Sequence, residues 1–212
     1  MIAGLTGAAV IGGEFLLTGC KNDGSIGGAV FTADDIAFLD EVADTILPPT
    51  KSPGAKAANV GTFMTVMVND CYTASDQKIF HEGIKKLNDL SDKKFNKGFV
   101  AATPEQRHEL LVELDKDSRA YTKKTNEYFE TLPSDPKPPV TERRTASTDP
   151  KDPKADKMRE YPDYYYIMLK QLTLLGYFTS KEGATKALRY EAVPGKYDGN
   201  FPYKKGDRAW AT

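Results

Sequence analysis

Apolar residues return every third or fourth position in one segment after another, and nowhere do they alternate over a useful length. The clearest case is Val60, Phe63, Met64, Met67, Val68 and Cys71. That spacing puts six side chains on one flank of a helix, whereas a half-buried strand needs a period of two. A chain patterned this way is restricted to packing helix against helix.

The same period predicts the other elements. Thr32 is a good N-cap, with Asp34 and Asp35 in the first turn, where the helix dipole favours acids. Phe31 and Ile36 stand at staple positions. Ile36, Leu39, Val42, Ala43 and Ile46 form the stripe, and Pro48-Pro49 stops it. The loop that follows contains Pro53, Gly54 and Ala55. A third helix is expected after Ser75, with Ile79, Phe80, Ile84 and Leu87. Phe95 and Phe99 lie in a basic connector that periodicity does not place. Thr103-Pro104-Glu105-Gln106 combines a threonine cap, a first-turn proline and a capping-box glutamine. Leu110, Leu111 and Leu114 are that helix's buried side, and Tyr121 and Tyr128 extend it. The last main helix is expected from Asp163 to Phe178, with Tyr164, Ile167, Met168, Leu172, Leu175 and Phe178 on one face. A short amphipathic helix (183–189) and an extended aromatic arm follow.

Two segments break the pattern. Residues 131–157 hold prolines 133, 136, 138, 139, 150 and 153 and many charges, with Val140 among few large aliphatics. Such a segment buries too little to offset its ordering entropy. It reads as an insertion too long to be a routine connector. The other is residues 1–20, apolar or small from Ile2 to Thr18 apart from Glu14, too short for a confident membrane span. It reads as a signal segment ending in Leu17-Thr18-Gly19-Cys20, which resembles the bacterial lipobox and makes Cys20 the expected lipidation site. No Lys or Arg precedes the run, so the start of the signal is expected upstream, where a twin-arginine pair would be sought. The competing reading is an apolar N-terminal helix packed on the domain. Residues 21–30 read as a tether. The expected fold is all-α: one helical domain (31–212) of about five main helices, with a Pro- and charge-rich insertion and an extended C-terminal arm.

Chemistry-bearing patterns are sparse. A net charge of -1 over 212 residues argues against nucleic acid as the main partner. His81 and His108 lie on different expected helices without ligand spacing, and read as exposed helix histidines. Cys71 reads as a small buried hydrophobe. No haem-attachment motif, phosphate-binding loop or dinucleotide fingerprint is present, and Gly12-Gly13 and Gly27-Gly28 follow no strand. Asp34/Asp35 and Asp115/Asp117 suit helix-start and solvated-face roles. Tyr161, Tyr164, Tyr165 and Tyr166 read as core and rim of one helix, or as an interface patch. Tyr197, Phe201, Tyr203 and Trp210 sit on an arm broken by glycine and proline, with no helix to bury them; partner binding and self-docking are both open.

Leu174 to Gly183, Ala187 to Tyr190 and Val193 to Gly199 resemble the C-terminal signature of the gluconate 2-dehydrogenase subunit 3 family. Ile46-Leu47-Pro48, Pro53-Gly54-Ala55 and the helix start at Val60 resemble its N-terminal motif. The resemblance covers roughly Phe31 to Tyr203, without the insertion. It implies a non-catalytic subunit with no cofactor of its own, beside a large flavin-dependent sugar or sugar-acid dehydrogenase that carries FAD, often with a cytochrome c subunit. It implies an exported chain that helps the large subunit mature and cross the membrane. With the lipobox, that means anchoring through Cys20 on the periplasmic side or the outer membrane. The candidate partner interface is then Pro53, Gly54, Gly176, Tyr177, Tyr190, Pro194, Gly195, Tyr197 and Phe201. The alternative is a stand-alone, lipid-anchored helical module binding a carbohydrate or peptide through its aromatics.

Overall fold

Helix starts are set by side chains that take amides with no partner inside the helix. Thr32 Oγ1 accepts from the Asp35 amide, and the Asp35 carboxylate accepts from the Thr32 amide at 2.8 Å, a reciprocal box built on an acid. Thr73 accepts from the Asp76 amide at 3.3 Å. Thr103 and Gln106 exchange both bonds, at 3.0 and 3.3 Å. The computed structural model describes residues 30–131, 164–193, 195 and 198–211. Among these there are five α-helices: α1 (Ala33–Ile46), α2 (Val60–Cys71), α3 (Ala74–Phe95), α4 (Pro104–Thr131) and α5 (Tyr165–Thr179), of which α1, α3 and α4 follow the threonine caps. Short 3-10 turns lie at Lys56–Ala58 and Phe99–Ala101, and a π-helical turn at Gly183–Ala187. No strand occurs among the described residues, and the fold is all-α.

α5 is the hub. It packs on α1, α2, α3 and α4, and on the π-helical turn. Its buried residues are Tyr165, Tyr166, Met168, Leu169, Leu172, Thr173, Gly176 and Tyr177. The expected face was displaced: Leu175 and Phe178 are exposed, and Ile167 and Tyr164 are half-buried. α5 is apolar on nearly every side, so the period alone does not say which flank turns inward. Four surrounding helices settle it.

Close approaches are made at glycines. A Cβ on Gly61 of α2 would lie 2.6 Å from the Ile36 carbonyl oxygen of α1 and 2.7 Å from Asp40. The Gly61 amide donates to Asp40 Oδ1 at 2.8 Å, so α1 supplies the cap that Asn59, in the left-handed region at φ 53°, does not. Gly83 of α3 receives the Tyr165 side chain and Gly176 of α5 receives the Phe63 ring, each where a Cβ would stand 2.5 Å away.

Other expectations shifted for local reasons. α3 starts after Thr73 rather than Ser75 and runs 22 residues, so Phe95 is its last residue. Phe99 is fully buried and packs 5.4 Å from Phe38, with its amide bonded to Asn88 Oδ1. Cys71, the last residue of α2, is exposed rather than buried. His81 is half-buried, stacked on Phe31 at 4.1 Å; His108 is exposed as expected. Asp115 is not on a solvated face: its side chain, 17% exposed, accepts from Lys170 of α5 and Arg119 of α4. Residues 1–29, 132–163, 194, 196, 197 and 212 lie outside the described residues, and with them Cys20, Tyr161, Pro194, Tyr197 and nearly all of the insertion.

Glu41 joins three elements. It takes hydrogen bonds from Lys56 in the 3-10 turn and from Arg107 of α4. Burial alone would raise its carboxyl; the two cationic donors outweigh that and hold it below the usual range.

Two predictions follow from these contacts. Gly61→Ala should lower unfolding free energy by about 2 kcal/mol in urea titrations, because the obstacle is backbone rather than a side chain that can swing aside. Glu41's depressed carboxyl contributes stability that is present above its unfolded-state value and lost as pH falls through the folded one. Asp40, raised by burial, works in the opposite sense, so Glu41 is read by difference. Glu41→Gln should destabilise by about 1–3 kcal/mol near pH 7, and its gap from wild type should narrow in urea midpoints taken near pH 3.

Candidate partner interface

The two stretches that carry the family resemblance are far apart in sequence and meet in space. Tyr177 on α5 is buried, and its hydroxyl donates to the Pro53 carbonyl at 2.6 Å. The Pro53-Gly54-Ala55 loop is held from the other side by α1. The Asp44 carboxylate accepts the Lys56 amide at 3.1 Å, and the Ala55 amide donates to the Leu47 carbonyl at 2.9 Å. A Cβ on Gly54 would sit 2.3 Å from Asp44 Oδ1 and 2.8 Å from the Pro49 nitrogen, so the loop closes only over glycine.

This geometry divides the nine candidate interface residues. Gly54, Gly176 and Tyr177 are buried inside the chain and Pro53 is half-buried, so they brace a surface rather than offer one. Tyr190 and Phe201 are exposed, at 57% and 50%, and Gly195 is exposed with φ 71°. Pro194 and Tyr197 lie outside the described residues.

The end of α5 is organised by Ser180. Its hydroxyl donates to the Tyr177 carbonyl at 2.7 Å and accepts from the Gly183 amide at 3.0 Å. A Cβ on Gly183 would fall 1.9 Å from the Tyr177 carbonyl oxygen, which explains the glycine at the start of the π-helical turn. That turn replaces the expected amphipathic helix of 183–189. The chain beyond it is not simply extended. A single parallel bridge joins Arg189 to Trp210, with the Arg189 amide donating to the Ala209 carbonyl at 2.7 Å and the Ala211 amide to the Arg189 carbonyl at 2.8 Å. The arm therefore turns back on itself.

Sequence reasoning missed the outer flank of α5. Leu174, Leu175 and Phe178 are 37%, 46% and 38% exposed. They lie within about one quadrant of the helix, since positions 174 and 178 are one turn apart. With Tyr190, Val193, Phe201 and Tyr203 they put large apolar side chains at the surface throughout the C-terminal third of the described chain. The available signal was a helix apolar all round, which buries every flank in a large core or keeps one for contact.

An open groove of about 750 Å3 lies between α4 and α5, lined by Asp115, Arg119, Lys123, Ile167, Lys170 and Leu174 among others. Its central carboxylate is already bonded to two cations. The Lys170 bond, ahead of the opposing effect of burial, keeps Asp115 below the usual carboxylate range. Such a mutually neutralised set is a strut, not an acid-base pair. Burial, with Asp115 beside it, pushes the Tyr166 hydroxyl up to about 12, so it stays protonated as a core residue does. Among the described residues no three His, Cys, Asp or Glu side chains converge to hold a metal ion, and no helix is long and apolar enough to cross a membrane.

The hydroxyl of Tyr177 is the most direct link between the two resemblance stretches. Tyr177→Phe leaves the half-buried Pro53 carbonyl without that donor and should cost about 1 kcal/mol. Guanidinium titration checks it; the same substitution should raise proteolytic cleavage within the 50–55 loop.

The gluconate 2-dehydrogenase subunit 3 family model matches residues 33–195, from the first residue of α1 into the C-terminal loop. No curated protein and no solved structure matches the chain significantly. The matched span contains Pro53 and Tyr177 with the stretches around them up to residue 195, and every described helix of the fold lies within it. On this evidence the chain belongs to the gluconate 2-dehydrogenase subunit 3 family.

Proposed function

We propose that this chain is a non-catalytic accessory subunit of a membrane-attached, flavin-dependent sugar or sugar-acid dehydrogenase complex. Membership of the family supports its place in a dehydrogenase complex. The observation that carries the reading further is the exposed apolar flank of α5, Leu174, Leu175 and Phe178, continued by the aromatics after it. Leaving that much apolar side chain in water forgoes about 25 cal/mol for each Å2 that a partner would cover. Large exposed aromatics with an apolar centre and polar surroundings are the composition of a protein-protein contact.

In this reading the large subunit holds FAD and carries out the oxidation, and a cytochrome c subunit can accept the electrons. The present chain escorts the loaded large subunit through export and maturation, and anchors it through lipidated Cys20 on the periplasmic side or the outer membrane. The Tyr177–Pro53 link gives α5 a rigid mount, so that its outer flank is presented in one orientation.

Affinity purification of the full-length chain from detergent extracts of cells that also make the dehydrogenase tests this. Flavin-containing dehydrogenase should co-purify. Leu175→Asp with Phe178→Asp should abolish that while leaving the helical circular dichroism in place, since neither side chain is part of the buried core. Cys20→Ala should shift the intact complex from the membrane to the soluble fraction. A monodisperse, partner-free chain from those cells would overturn the proposal.

A further inference from the structure

The C-terminal loop closes around Arg189. The Arg189 guanidinium lies over two aromatic rings at once, 4.8 Å from the Trp210 ring centre and 5.3 Å from that of Phe201. Those rings pack edge to face, 5.5 Å apart at 74°. Asp207 stands 3.9 Å from the same guanidinium. The backbone bridge to Trp210 starts from this very residue. Arg208 adds a second tie, donating to the Lys186 carbonyl of the π-helical turn at 2.8 Å. A planar cation stacked on aromatic faces and joined to a carboxylate is a geometry that arginine makes and lysine does not.

The closing half of this loop, Phe201 to Trp210, lies beyond the span matched by the family, which ends at residue 195. The clasp thus joins Arg189, inside the matched span, to residues outside it. Shut, it still leaves Tyr190, Val193 and Tyr203 in water, the last two at 79% and 75% exposure. The loop hangs from the end of α5 through Ser180 and Gly183, continuous with the Leu174, Leu175 and Phe178 flank on the same helix.

We propose that Arg189 is a positioning residue. By clasping Phe201 and Trp210 it pre-forms the C-terminal loop as a docking element for the dehydrogenase subunit, extending the α5 contact and selecting the cognate partner. This rests on the accessory-subunit reading above. Pre-forming a loop removes the entropy that would otherwise be lost when it orders on a partner. An arm of this length without the clasp would have to be ordered at the moment of binding.

Trp210 is the only tryptophan in the chain, so its emission reports the clasp without any partner present. Arg189→Ala in the full chain should red-shift that emission and increase acrylamide quenching, with the helical melting midpoint unchanged. Its dissociation constant for the purified flavin-dependent dehydrogenase subunit should rise on the order of tenfold. Arg189→Lys keeps the charge but not the stacked plane and should recover only part of both signals. Phe201→Leu removes one ring while keeping the backbone bridge, and should repeat the emission change if Arg189→Ala misfolds. Unchanged emission in both variants overturns the clasp. A changed emission with unchanged affinity overturns the docking role and leaves the accessory reading standing. So does loss of binding to anionic phospholipid vesicles with dehydrogenase affinity intact, which would give the loop to the membrane. Failure of the wild-type chain to bind the dehydrogenase at all removes the accessory reading itself.

Discussion

An apolar helix that must be surrounded organises this protein. α5 carries large side chains in nearly every direction, and water is excluded from most of it only when four other helices close round it. The remaining elements are arranged to permit that. Gly83 accepts the Tyr165 side chain, Gly176 admits Phe63, and Gly61 lets α1 and α2 come close enough for Asp40 to cap α2. Each glycine occupies a place where a methyl group would push a helix away.

Polar groups then fasten what burial assembles. Glu41 ties α1 to the 3-10 turn and to α4, and Asp115 ties α4 to α5. Both carboxylates stay charged because cationic donors outweigh the cost of their burial. Tyr177 reaches across to Pro53, so the loop after α1 and the last helix move as one piece. The signature is for this reason divided: Gly54, Gly176 and Tyr177 are internal and hold α5 in place, while Leu174, Leu175, Phe178 and Tyr190 of the same signature lie at the surface.

The C-terminal loop shows how a short, polar, aromatic segment can have a shape without a core of its own. One guanidinium serves two rings and a carboxylate, and a single bridge closes the backbone beside it. Cation–π contacts at such exposed positions are worth about 0.5–1 kcal/mol each, enough to bias a loop but not to hold it against a strong competitor. That balance suits an element that has to present aromatics and still adapt to what it meets.

The all-α class, the Thr32 cap, the Thr103–Gln106 box and the buried sides of α1, α3 and α4 were legible in the sequence, whereas the Thr73 cap of α3 was not. The legible features depend on local spacing and on hydrogen bonds three residues long, which a chain carries wherever it goes. The inward flank of α5, the burial of Phe99, the exposure of Cys71 and the placing of Asp115 between two cations were decided by tertiary structure. Except for the exposed Cys71, the deciding partner lies on a distant element: Phe63 and Tyr165 meet glycines far along the chain, Phe99 meets Phe38, and Asp115 meets Lys170. The same holds for the arm, whose aromatics were visible from the start. Only the meeting of Arg189 with Trp210 made it a closed loop, because no local period relates residues separated by that length of chain.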